Sequence, residues 1–222
     1  MRWVDLLSCQ QWRRPISKHV MIKGLLLIFD TARTWQMIAS VPRRWGTVFL
    51  THVLPLLVLT SFAEGYSLVH WGRVQDISLR VKKFGIPEAT AYEVTQFLLT
   101  LVVIFFCAKL IKSMGETFHG RHTFGQAFIV LAYGLSPLFL FRFLDMIPGL
   151  TPWVGWGAGV LLSIGIIYYG LPCIMQPDPP HAFGLYLTSS ILIIMTSGLV
   201  RFVTAWYLLG KFEKLNHLFP QF

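Results

Sequence analysis

Four ionisable side chains, Glu64, Arg142, Asp145 and Arg201, stand inside or at the edge of long apolar stretches of this chain. Burying an arginine at such a position costs about 2.5 to 3.5 kcal/mol on insertion scales, so each charge needs a partner or a task. Arg142 and Asp145 are three residues apart and can pair on one helix face. Arg201 calls for a carboxylate, Asp145 or Glu64. A group of this kind can hold a lipid headgroup, an ion or a partner's charge, or it can lock helices together. Other chemistry-bearing sets are weaker. Glu116, His119 and His122 fit no zinc spacing, no HExxH is present and no cysteine lies near, so a solvated basic loop is expected, with no metal and no cofactor. Ser136, in Tyr-Gly-Leu-Ser-Pro, has no histidine in its own apolar stretch, and His52 reads as a packed or interfacial residue rather than a base. With no G-x-S-x-G elbow, no P-loop and no paired intramembrane aspartates, the residues do not describe an enzyme.

The elements that position these charges are the apolar stretches. Trp45 to Ala63, Val94 to Ala108, Thr123 to Phe141, Trp153 to Met175 and Ala182 to Val200 contain no Asp, Glu, Lys or Arg. A helix needs about 20 mostly apolar residues to cross the hydrocarbon core. Four stretches approach or exceed that length, and the second reaches it if Lys109 and Lys112 snorkel to the headgroups. The fold class is therefore an all-α integral membrane protein, a bundle of five transmembrane helices. Only 13% of its 222 residues are charged and 55% are hydrophobic, whereas soluble domains run near 25% charged. At about 1.5 Å rise per residue, Glu64 lies roughly 26 Å along the first span from Thr47, Arg142 roughly 28 Å along the third from Thr123, and Arg201 roughly 27 Å along the fifth from Phe183. Odd-numbered spans run the same way, so Glu64, Arg142, Asp145 and Arg201 are expected at one depth near one face.

Three regions are expected: a basic N-terminal segment at 1–44, a five-span membrane domain at 45–210 and a short tail at 211–222. Eight of the 19 basic residues precede the first span, namely Arg2, Arg13, Arg14, Lys18, Lys23, Arg33, Arg43 and Arg44. Cytoplasmic flanks are enriched in Lys and Arg, which places the N-terminus in the cytoplasm and, after five spans, the C-terminus outside. Arg13, Arg14, Lys18, Lys23, Arg43 and Arg44 are the candidates for contact with anionic lipid or a partner. The run Leu25 to Phe29 is too short for a signal peptide and lacks a small-residue cleavage site. It fits an amphipathic, interfacial helix with Trp35 at headgroup depth, or else a helix packed under the spans. Pro55, Pro137 and Pro172 fall inside spans and are expected to kink them. In the fourth span Gly155 and Gly159 form a small-xxx-small pair that lets another helix approach closely, within the bundle or in self-association.

With the chain laid out in this way, three places carry a family likeness. Thr34-Trp35-Gln36-Met37-Ile38 with Pro42 resembles the amphipathic entry to the Yip (Ypt/Rab-interacting protein) domain, without the proline often found ahead of that tryptophan. Phe124-Gly125-Gln126-Ala127-Phe128 through Ala132-Tyr133-Gly134-Leu135-Ser136-Pro137 resembles the family's Gly-Phe entry and Ala-Tyr-x-x-x-Pro span. Tyr168-Tyr169-Gly170-Leu171-Pro172 with Met175 is similar to its Tyr-x-Gly-Leu-Pro motif. The likeness runs from about Phe29 to Gly210. It implies a cytoplasmic N-terminus and a non-enzymatic helical bundle; in eukaryotic relatives it implies binding of Rab-type GTPases in traffic between endoplasmic reticulum and Golgi. The short basic start looks more like the prokaryotic members, so Rab binding is expected only of a eukaryotic chain.

The function expected from these readings is that of a multi-pass membrane protein that organises other membrane components or serves as an accessory subunit of a larger assembly. Its expected location is a bacterial inner membrane, or alternatively the endoplasmic reticulum and Golgi. Its expected partners are anionic headgroups and other membrane proteins, not nucleic acid. The competing expectation is a small transporter or channel using the charge cluster. A transport path needs polar residues at the membrane midplane, and the span centres offer chiefly Thr100, Ser136, Ser163, Thr196 and Ser197.

Overall fold

The structure, a computed structural model, describes residues 20–41, 43–74, 81–117, 122–147 and 149–208. Among the described residues five helices are long and apolar enough to cross a membrane: Trp45–His70, Ile86–Thr117, Phe124–Met146, Trp153–Ile174 and Pro180–Tyr207, called spans one to five below. Among the described residues two short helices precede them, α1 (Val20–Phe29) and α2 (Thr31–Ala39). Span three is the most buried of the five and forms the centre of the bundle. The hydrophobic core gathers Leu27, Trp35, Val53, Leu57, Ile104, Phe128, Leu131, Ile167 and Leu185 from α1, α2 and all five spans.

Prolines set the local irregularities. Pro55 has no N–H to give its helix, and the chain widens just before it: Phe49–Val53 is a π turn, and the Leu54 N–H bonds to the Phe49 carbonyl five residues back. Pro137 acts similarly in span three, where the helix Phe124–Gly134 breaks at Leu135 and restarts as Ser136–Phe141. The last turn of span three tightens into a 3-10 helix, Arg142–Met146. At its start, Thr123 and Gln126 form a reciprocal capping box, which satisfies two backbone donors otherwise left open. Pro172 lies near the end of a helix, Pro152–Ile174, that runs past it.

The N-terminal helices differ from the interfacial expectation. They break at Asp30, whose carboxylate accepts from the Arg33 N–H at 3.3 Å and caps α2. Trp35, expected at headgroup depth, is fully buried, and its indole N–H donates to the Ile166 carbonyl of span four at 2.9 Å. A buried indole needs such an acceptor. α2 therefore docks against the bundle by its Thr34, Trp35 and Ile38 face.

Span two also differs. Its helix has 32 residues, Ile86–Thr117, about 48 Å at 1.5 Å per residue, rather than a marginal crossing bounded by Val94 and Ala108. Ending the span at the first charge truncated it, because Glu93 turns inward and is paired.

Candidate functional site

The four intramembrane charges foreseen in the sequence stand together at one end of the bundle, the end where spans one, three and five finish. Glu64 is fully buried on span one. Arg142, on the 3-10 turn of span three, donates through Nε to Glu64 Oε2 at 2.8 Å. Asp145, one turn on, receives Arg201 of span five at 2.5 Å. The i,i+3 pair of Arg142 with Asp145 is not the arrangement adopted. Arg142 reaches instead to Glu64 of span one and Glu93 of span two, and Asp145 to Arg201 of span five.

Two further charges complete the cluster. Glu93 of span two accepts from Arg142 Nη2 at 2.9 Å, and Arg73 donates to Glu64 at 3.2 Å and to the Asp145 backbone carbonyl at 3.0 Å. Arg73 belongs to the loop after span one, yet it is buried because of its backbone. Gly72 adopts φ +73, a conformation other residues rarely enter, and a two-residue antiparallel ladder, β1 (Arg73–Val74) with β2 (Val81–Lys82), pairs Arg73 with Lys82. A Cβ on Gly72 would overlap the Lys82 carbonyl. Burial works against the Arg73 charge, but Glu64 and Asp145 beside it more than offset this and hold its pKa above the ordinary value. Tyr92 donates to Glu64 at 3.3 Å. Gln96, with its amide turned to satisfy both ends, accepts from Arg142 at 2.8 and 2.9 Å and donates to the Tyr92 hydroxyl at 2.6 Å.

Among the described residues, three guanidinium groups thus meet three carboxylates, one for one in formal charge. It ties spans one, two, three and five and the loop after span one into one unit. Below it, between spans two to five, lies a cavity of about 90 Å³ with mostly apolar walls, capped by Arg142, Asp145 and Arg201. The sequence carried one signal for the missed Glu93: Ile86-Pro87-Glu88 has the proline and the acid of a helix start, which sets Glu93 inside the helix.

A second polar contact lies deeper. His52 of span one and Ser136 of span three, unconnected in the sequence, meet at 2.8 Å between Nε2 and Oγ. Both are buried. The Tyr133 ring stacks on His52 with centroids 4.6 Å apart, and Gly24 of α1 covers the pair so closely that a Cβ there would come within 2.9 Å of His52. The contact gives the buried Ser136 hydroxyl a partner at the break of span three.

The sequence motifs converge in the same region. Trp35 of α2 meets Tyr133 edge to face at 6.4 Å and packs on Gly170 of span four, where any Cβ would overlap the indole. Gly134 is likewise covered by Ile167. Gly155 and Gly159 face span three, with added Cβ atoms meeting the Phe141 carbonyl at 3.0 Å and Leu138 Cα at 2.8 Å. Of the basic N-terminal candidates, Arg43 is half-buried and lines a cavity of about 320 Å³ at the opposite end of the bundle, and Arg44 is exposed. Lys23 falls within α1. Arg13, Arg14, Lys18 and the tail at 211–222 lie outside the described residues.

No curated protein and no solved structure matches the chain. The family model of the Yip1 domain matches residues 25–202, most of its length. That range holds the tryptophan of α2, the Ala-Tyr segment of span three and the Tyr-Gly-Leu-Pro segment of span four, which the structure packs against one another, and the chain belongs to the Yip1 domain family.

Proposed function

We propose that this protein is a non-enzymatic organiser of membrane components, or an accessory subunit of a larger membrane assembly, and that the charge cluster is the lock that gives its bundle one fixed shape. The observation that supports this is the mutual pairing within the cluster: among the described residues Arg73, Arg142 and Arg201 pair with Glu64, Glu93 and Asp145. Ions that pair with one another over four helices hold structure and are poorly placed to carry a substrate. The transporter reading has less support, since the cavity beneath the cluster has chiefly apolar walls. The basic residues of the N-terminal segment favour an anionic, cytoplasmic-facing leaflet, at about 1 kcal/mol for each residue near the surface; the same charge bias supports an outward C-terminus, and the likeness of the short basic start to prokaryotic members supports a bacterial inner membrane.

Crosslinking in native membranes, followed by purification of the full chain in mild detergent, tests the organising role. The expected outcome is another membrane protein recovered in stoichiometric amount. Absence of any such protein removes the accessory-subunit reading. Solute flux into proteoliposomes carrying the chain, absent from empty vesicles, overturns the non-transporting role.

A further inference from the structure

The cavity of about 320 Å³ at the end of the bundle opposite the charge cluster carries a cation on its wall. Arg43 is the one charged residue among the described residues that line it, and among the described residues no carboxylate forms an ion pair with Arg43. Its guanidinium is hydrogen-bonded to the Tyr133 hydroxyl on the facing wall. That engages one of five N–H donors. Spans one and three both begin at this end, at Trp45 and Phe124, so the positive ends of two helix dipoles face the same surface. Span four ends here too, but its Ile174 carbonyl is taken by Gln126 Nε2 at 3.2 Å. Apolar walls adjoin the arginine, Ile38, Val41 and Ile129 among them, and Val41 is 47% exposed at the mouth.

A half-buried guanidinium with donors to spare, two helix N-termini and walls without an acid together suit an anion, and a guanidinium grips a phosphate through two parallel N–H bonds. The apolar walls suit what the phosphate is attached to. We propose that the cavity binds the headgroup phosphate of an anionic phospholipid of the phosphatidylglycerol class, with Arg43 donating to the phosphate oxygens and the glycerol and first acyl carbons lying along Val41 and Ile129. Depth agrees. Thr123 and Ile174, which line the cavity, stand at the start of span three and the end of span four, where crossing helices leave the hydrocarbon for the headgroups. Free phosphate would use the arginine alone, whereas the lipid uses the apolar walls as well. The inference rests on the leaflet preference proposed above and gives it a single site; it is independent of whether the protein has a protein partner.

Purified full-length protein, delipidated in mild detergent and then mixed with phosphatidylglycerol or with phosphatidylcholine of the same chains, tests the proposal by native mass spectrometry. Arg43→Gln keeps a donor for Tyr133 and removes the charge. Retention of phosphatidylglycerol should fall about tenfold, the worth of one hydrogen bond to a charged group, with retention of the zwitterionic choline lipid unchanged. Val41→Glu sets a carboxylate at the mouth from an exposed position, so it should lower phosphatidylglycerol retention as much while leaving the melting temperature in lipid-free detergent unchanged. Arg44→Gln removes the same charge from an exposed residue outside the cavity and should leave retention near the wild-type level. Equal losses in Arg43→Gln and Arg44→Gln would mark diffuse attraction, overturning the site while the leaflet preference stands. Retention that survives Val41→Glu also overturns the proposal. So does displacement of the lipid by an equal concentration of inorganic phosphate, which would mark a site for the free anion.

Discussion

Arg142→Leu is the most informative perturbation of the cluster. The guanidinium bridges Glu64 at 2.8 Å and Glu93 at 2.9 Å. Its removal leaves Glu64 with Arg73 at 3.2 Å and Glu93 without an ion-pair partner among the described residues. Two guanidiniums then face three carboxylates, one of them uncompensated. Breaking a buried pair by removing one partner costs about 3–5 kcal/mol. For a chain of this size, with about 2–4 °C per kcal/mol, the melting temperature of the detergent-purified protein should fall by about 6–20 °C. Replacing both partners by apolar residues restores neutrality, and such replacements are often neutral or stabilising. Arg142→Leu combined with Glu93→Leu should therefore recover most of the loss. Fluorescence-detected melting of wild type, the two single variants and the double variant supplies a complete cycle, in which coupled groups show interaction energies of about 0.5–3 kcal/mol. A single variant within 1–2 °C of wild type, on the about 2–4 °C per kcal/mol scale, would refute the lock. So would a double variant whose loss equals the sum of the two singles.

Other outcomes follow from individual contacts. Gly170→Ala should destabilise the protein, although alanine in a helix is otherwise favoured by about 1 kcal/mol, because its methyl group overlaps the Trp35 indole; a raised melting temperature would contradict the docking of α2. Ser136→Ala and His52→Ala should each cost about 1–3 kcal/mol as one buried partner is stranded, and their double variant should cost less than the sum. Wild-type protein should remain unlabelled by a fluorophosphonate probe, and labelling lost in Ser136→Ala would instead identify a nucleophile. His122 lies between spans two and three, and burial outweighs the nearby Asp178 to hold its pKa below the ordinary 6.5. The folded state therefore binds its proton less readily than the unfolded chain, so stability should fall as pH drops below about 6.5. Melting at pH 7.5 and pH 5 should show a larger loss for wild type than for His122→Gln.

The class of protein was legible in the sequence because a bilayer imposes a simple requirement: long uncharged runs cross it, and five such runs were visible. The shared depth of Glu64, Arg142, Asp145 and Arg201 was legible as well, since a helix has a fixed rise per residue and three spans run the same way. Pairing was another matter. Which guanidinium meets which carboxylate depends on how the helices are rotated against one another, and that is not encoded in spacing along one helix. Arg73 carries no signal of its burial along the chain, because it is the positive φ of Gly72 and the short ladder to Lys82 that fold it back onto Glu64. Glu93 was excluded by treating any charge as the end of a span, a rule that fails when another helix supplies the counter-ion. Trp35 was placed at the interface because its own helix shows only an amphipathic face. The acceptor that buries it, the Ile166 carbonyl, lies 131 residues away. Local periodicity and the cost of exposing polar backbone to lipid determined the helices and their approximate depth; the mutual satisfaction of charges, hydroxyls and an indole contributed by distant helices could be decided only by tertiary packing.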